Sequence, residues 1–200
     1  MANTSAIAGL VPVGYLDGGA WTGKANMYCI PSAHGNAFAI GDPVTLAGSA
    51  DANGVPTVTL ATAGAGNLVL GAMIGMGGTV YGSHSGDPTS LNTIVIPATK
   101  TKAYYILVAD SPDIVYEIQE GTDGAALAAT SVGLNFDLKS GTNNGFVSGW
   151  VLDNDTGATG VTLQLKSLRL SQRRDNAFGA SAKWLVKINH HSFRSGVAGV

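Results

Sequence analysis

The oxygen donors of Asp153-Asn154-Asp155-Thr156-Gly157 could ligate a hard cation such as calcium. A helix-flanked calcium loop, however, needs a glycine at its sixth position and a bidentate glutamate at its twelfth. Here the glycine falls early and Gln164 takes the glutamate's place, so the stretch reads as an Asx-type turn. His190 and His191 are metal ligands by type, but neighbours on a strand face opposite ways and cannot chelate one zinc together. His34 and His84 fall in loops elsewhere. Gly71 to Thr79 is glycine-rich, yet it lacks the lysine and the following helix of a phosphate-binding loop, and reads as a strand with bends. No Gly-x-Ser-x-Gly elbow occurs. Cys29 lies on a strand beside Pro31, not at a helix start where a thiol pKa would be lowered. Glu117 and Glu120 point to different faces of one strand, so they read as edge or interface groups and not as an acid–base pair. Trp21, Trp150 and Trp184 could form a sugar-binding platform, although Trp184 alternates as a core residue does. The expectation is a protein that is not an enzyme and takes neither cofactor nor metal.

The elements that would position any site are set by composition and pattern. The chain has 200 residues, of which 45% are hydrophobic, only 12% are charged and 28 are glycine. A charged share about half the usual one leaves a neutral surface. That suits either a subunit that covers much of itself against neighbours or a small-residue β protein. A net charge of −2 offers no electrostatic footprint for nucleic acid. The single cysteine excludes an intrachain disulfide and fits folding in a reducing cytosol. The N-terminus makes a poor signal peptide. The most apolar run, Ala61 to Val80, is broken by six glycines, so no membrane span is expected.

Lys102 to Glu120 dominates the pattern. Tyr104 to Ala109 is almost wholly apolar, as a strand buried on both faces would be. In Asp113 to Gln119, Ile114, Tyr116 and Ile118 point one way and Asp113, Val115, Glu117 and Gln119 the other. Asp110-Ser111-Pro112-Asp113 between them is turn chemistry, so the stretch reads as a β-hairpin at the centre of the main sheet. Further short strands are expected at Met27 to Ile30, Val44 to Leu46, Thr57 to Ala61, Leu68 to Ile74 with an extension at Thr79 to Tyr81, Asn92 to Ile96, Leu134 to Leu138, Phe146 to Leu152, Val161 to Leu170 and Trp184 to Asn189. A phase slip at Lys166-Ser167 marks a β-bulge. Ala125 to Ala129 is the one helix candidate, and Ser83 to Ser90 is a polar loop. The sum is an all-β domain over residues 25–200, an antiparallel barrel or jelly-roll-like sandwich. Residues 1–24 lack a sustained period but carry Tyr15, Leu16 and Trp21, too apolar for a solvated tail. They read as an extended N-terminal arm that adds as a strand to a neighbouring subunit or partner. Core candidates are Ile106, Val108, Ile114, Tyr116, Ile118, Leu134, Phe136, Leu163, Leu165, Trp184, Val186 and Ile188.

Four stretches carry a family likeness: Gly41-Asp42-Pro43-Val44-Thr45-Leu46-Ala47-Gly48, Asn53-Gly54-Val55-Pro56-Thr57-Val58, Tyr104 to Gln119, and Trp184-Leu185-Val186-Lys187-Ile188-Asn189-His190-His191. In this order they resemble the cement (decoration) proteins of tailed-bacteriophage capsids, over roughly residues 40–191. The resemblance implies a structural virion protein that binds the outside of the head and clamps neighbouring major capsid subunits. It implies manufacture in the bacterial cytoplasm, placement on the capsid exterior, and partners that are the major capsid protein and further copies of the chain, a homodimer or homotrimer. The interface expected for capsid or subunit is Tyr15, Leu16 and Trp21 of the arm with Glu117, Arg173 and Arg174. The alternative is a carbohydrate- or host-surface-binding β module on a virion.

Overall fold

The computed structural model of the chain describes residues 3–77, 79–80, 83–84, 95–196 and 198–199. Most of the Ser83 to Ser90 loop and the first part of the Asn92 to Ile96 strand lie outside the described residues. The strands in chain order are β1 (Val11–Tyr15), β2 (Asn26–Ile30), β3 (Phe38–Ala39), β4 (Pro43–Ala50), β5 (Pro56–Leu60), β6 (Gly71–Met76), β7 (Thr79–Val80) and β8 (Ser83–His84). They continue with β9 (Val95–Ile96), β10 (Tyr104–Ala109), β11 (Ile114–Gln119), β12 (Asn135–Phe136), β13 (Leu138–Lys139), β14 (Val151–Leu152), β15 (Leu165–Leu170) and β16 (Lys183–Ile188). The protein is all-β. A closed barrel runs in the order β10-β2-β5-β4-β6, and a five-stranded antiparallel sheet runs β1-β11-β16-β15-β12. The barrel closes through a parallel contact of β2 with β5, at Cys29 and Thr57. Closing the sheet on itself removes its free edges.

Two cores result. Inside the barrel, Ile30, Phe38, Val44, Val58, Leu70, Met73, Ile106 and Val108 are buried together. Beneath the five-stranded sheet, Ile114, Tyr116, Ile118, Phe136, Leu165, Trp184, Val186 and Ile188 form the second core. The barrel wall that meets it contributes Ala61, Val69, Ala72 and Ala109. Small side chains there let the barrel approach the large residues of the sheet without a gap.

The stretch from Tyr104 to Gln119 is not a hairpin. β10 pairs with β2 and β6 inside the barrel, whereas β11 pairs with β1 and β16 in the sheet. The turn at 110–113 is therefore the corner where the chain leaves one sheet for the other. Its bonds explain the choice. Asp110 is buried and accepts from Tyr28 Oη at 2.6 Å and Asn26 Nδ2 at 3.0 Å, which ties the corner to the barrel. Tyr116 Oη donates to the Ala109 carbonyl at 2.7 Å, which ties the sheet back to the corner. Nor is β10 buried on both faces throughout: Leu107 is exposed.

Three more expectations change. The helix at Ala125 to Ala129 is replaced by one 3₁₀ turn, Ala129–Ser131. Side chains claim the backbone groups a helix would use: Leu127 N donates to Glu120 Oε2, and Asn154 Nδ2 donates to the Ala125 carbonyl. The Leu134 to Leu138 strand splits at Asp137, whose N–H goes to Thr156 Oγ1. β12 then pairs with β15, and β13 with β14. Finally, the expected arm lies on its own chain. β1 adds antiparallel to β11, and Leu10 is fully buried in the sheet core. The chain enters β1 by crossing the turn at Gly41. Leu10 N donates to the Gly41 carbonyl at 2.9 Å. Gly9 (φ 67°) and Gly41 (φ 91°) are both left-handed at this crossing, where no Cβ would fit. The bulge expected at Lys166-Ser167 is present, between Ser167 and Arg169 of β15.

Candidate interaction surface

Strand alternation fixes what the five-stranded sheet shows to the outside. Ile114, Tyr116 and Ile118 of β11, and Trp184, Val186 and Ile188 of β16, face the core. Register then places Glu117 beside Leu185 and Val115 beside Lys187 on the outer face. The next strand adds Lys166 opposite Lys187 and Arg169 opposite Leu185. On the other side Val11 of β1 lies opposite Glu117. The outer face thus has half-buried Val115 and Leu185 at its centre, Glu117 beside Leu185 and paired with Arg173, and Lys166, Arg169, Lys183 and Lys187 around them. These are four of the chain's 11 Lys and Arg residues, on one sheet of a chain with net charge −2. Burial lowers the Lys187 pKa, and the nearby charges of Arg194 and Lys166 push it the same way. The face is a site of concentrated positive charge.

Of the residues expected at an interface, the structure brings Glu117 and Arg173 together on this face. Glu117 accepts from Ser171 Oγ and from Arg173 Nη1, the latter at 3.1 Å. Arg173 also forks onto Asp175, with both bonds at 3.0 Å, which holds its pKa above the ordinary arginine value. Arg174 is exposed beside it. Tyr15, Leu16 and Trp21 sit away from this pair. Tyr15 and Trp21 are half-buried and pack against the sheet core, so they serve the chain's own fold. Leu16 is 44% exposed just beyond β1, where its N–H donates to the Asp113 carbonyl. Glu120, read from sequence as an edge or interface group, is instead fully buried and accepts from Trp184 Nε1 at 2.9 Å.

A strap of the N-terminal segment bounds the face. Ala6 N donates to Gln119 Oε1 at 2.7 Å, and Asn3 Nδ2 donates to the Ala177 carbonyl at 2.8 Å. The Asn3 side chain also accepts from Ala177 N at 2.9 Å. At the opposite end Arg194 pairs with Asp113. Lys183 and Lys187 of the face occupy the positions that alternate with core Trp184 and Val186, a signal the sequence carries. Their union with Lys166 and Arg169 needed the β15–β16 register.

Trp150 and Trp184 are core side chains, so the tryptophans do not form an exposed sugar platform. The Gly71 to Thr79 stretch includes the barrel strand β6, and Gly71 is there because Ala109 of the neighbouring strand leaves no room for a Cβ. Cys29 is buried, and burial with the Asp51 charge pushes its thiol up to about 11. Among the described residues, one group of three carboxylates could share a metal: Asp123, Asp153 and Asp155. No protein-family model, curated protein or solved structure matches the chain.

Proposed function

We propose that the chain is a structural virion protein, a cement protein that docks on the outside of a tailed-phage head and clamps neighbouring major capsid subunits. The likeness of residues 40–191 to that family supports the reading, and the outer face of the five-stranded sheet is the observation that carries it. A sheet face with Val115 and Leu185 at its centre, its Glu117 already paired with Arg173, and four further cations around them is suited to a large, flat partner that presents carboxylates. Exposed Val11 and Val13 of β1, with Leu16 just beyond it, extend the apolar part toward the sheet edge. The sugar-binding alternative loses its platform with the burial of Trp150 and Trp184.

Co-sedimentation of the full chain with purified tailed-phage heads tests the proposal. The chain should pellet with heads at low salt. Binding should weaken as ionic strength rises past about 0.15 M, where the screening length falls to about 8 Å. The double variant Lys183→Glu/Lys187→Glu should bind at least about tenfold more weakly, a loss of about 1.4 kcal/mol. A chain that stays in the supernatant at low salt ends the proposal. Equal binding by the charge-reversed variant would move the contact to another face.

A further inference from the structure

The Asp153–Asp155 turn, dismissed from sequence as a calcium loop, gains a third carboxylate in the fold. Asp123 arrives from the loop that follows β11, and one oxygen from each of Asp123, Asp153 and Asp155 lies within 4.8 Å of the others. Three oxygens spread evenly around one calcium ion, each at about 2.4 Å, stand about 4.2 Å apart, so the group is within a small side-chain adjustment of sharing an ion. A magnesium ion, with bonds of about 2.0–2.1 Å, would require the group to contract.

A second, independent feature points to the same place. Asn154 is only 8% exposed, and its Oδ1 is buried without a hydrogen-bond partner among the described residues. An unpaired buried oxygen has lost its water without a replacement, so it calls for a donor or a cation. Its Nδ2 donates to the Ala125 carbonyl at 3.1 Å, which fixes the amide so that Oδ1 points the other way. That oxygen and Asp123 Oδ1 flank the same point over Gly121. A Cβ built on Gly121 would lie 2.8 Å from Asp123 Oδ1 and 3.0 Å from Asn154 Oδ1. A Cβ on Gly124 would collide with Asp155 Oδ1 and lie 3.2 Å from Asn154 Cγ. Bare backbone at both glycines is what lets these oxygens crowd together.

We propose that Asp123, Asp153, Asp155 and the Asn154 side-chain oxygen form a calcium site that pins the 121–128 loop to the 153–155 turn. The donors are all hard oxygens, as calcium prefers. Lys139 of β13 already pairs with Asp123 and is the ion's competitor. Its ammonium supplies one charge against three carboxylates, leaves Asn154 Oδ1 unpaired, and is displaced when the divalent ion enters.

Calcium chloride titrated into the full chain, read by calorimetry and by thermal unfolding, tests the site. One saturable event is expected with a dissociation constant of about 10⁻⁴–10⁻³ M, accompanied by a rise in Tm. Magnesium chloride at equal ionic strength should give a smaller rise. Asp123→Asn/Asp155→Asn, both on exposed side chains, should abolish the event while far-ultraviolet circular dichroism stays unchanged. Asn154→Ala should weaken binding at least about tenfold, and Lys139→Met should tighten it severalfold. No saturable heat up to about 10 mM calcium overturns the site. So does an equal Tm rise from sodium chloride at matched ionic strength, or wild-type binding by the double variant.

Discussion

Glu120 stands where the loop after β11 folds under the sheet, with no exposed surface. Its Oε2 accepts from Trp184 Nε1 at 2.9 Å and Leu127 N at 3.3 Å, while Oε1 lacks a partner among the described residues. Burial raises its pKa against the opposing pull of those hydrogen bonds. The folded state therefore holds the proton more tightly than the unfolded chain. The resulting stability is complete below the unfolded value of about 4.3 and is lost as pH rises through the higher folded value. Glu120→Gln keeps an acceptor for both bonds and never ionises. The Tm of the variant minus that of the wild type should accordingly become more positive from about pH 4 upward. A difference that stays flat across that range would show that no buried charge is being carried.

At the scale of elements, β1 decides what the N-terminal residues do. The energetic argument from sequence was that an apolar, glycine-broken segment is ordered only if its backbone bonds are satisfied by a sheet. That argument holds, but the sheet belongs to the same chain, with Val11 to Tyr15 laid along β11. The outer edge of β1 is also poorly suited to receive a further strand. Pro12 has no N–H, and Gly14 is bridged to Ala20. Removing residues 2–24 should strip an edge strand and a core residue together and give a chain that fails to fold cooperatively. The single change Leu10→Ala leaves the strand in place and should cost about 2–5 kcal/mol in urea denaturation. Native-like stability after either change would mean that β1 is an appendage rather than part of the sheet.

Across the whole molecule, the barrel and the sheet are joined by the 110–113 corner and by the alanine wall of Ala61, Ala72 and Ala109. Close packing across that wall should make the two cores unfold as one unit. Two intrinsic probes can tell. Trp21, Trp150 and Trp184 all belong to the sheet core, whereas Cys29 is buried beside Tyr105 on the barrel. Tryptophan fluorescence and Cys29 labelling should report the same urea midpoint. Labelling that precedes the fluorescence change would mean that the barrel opens alone.

The alternation of Ile114, Tyr116 and Ile118, and of Trp184, Val186 and Ile188, was sufficient to assign strands and to pick the buried face, because a half-buried strand writes its burial into every second residue. The phase slip likewise marked the bulge in β15. Sequence thus determined the all-β class, most of the sheet core and the apolar character of the N-terminal residues. Pairing is another matter, since a strand's pattern records that it is covered but not by which neighbour. Only the tertiary structure made 110–113 a corner instead of a hairpin, through the hold of Tyr28 and Asn26 on Asp110. It alone set Lys166 and Arg169 beside Lys187 and Leu185, and carried Asp123 to Asp153 and Asp155 across about thirty residues of intervening chain. Such groupings arise from long-range register, which one-dimensional periodicity does not encode.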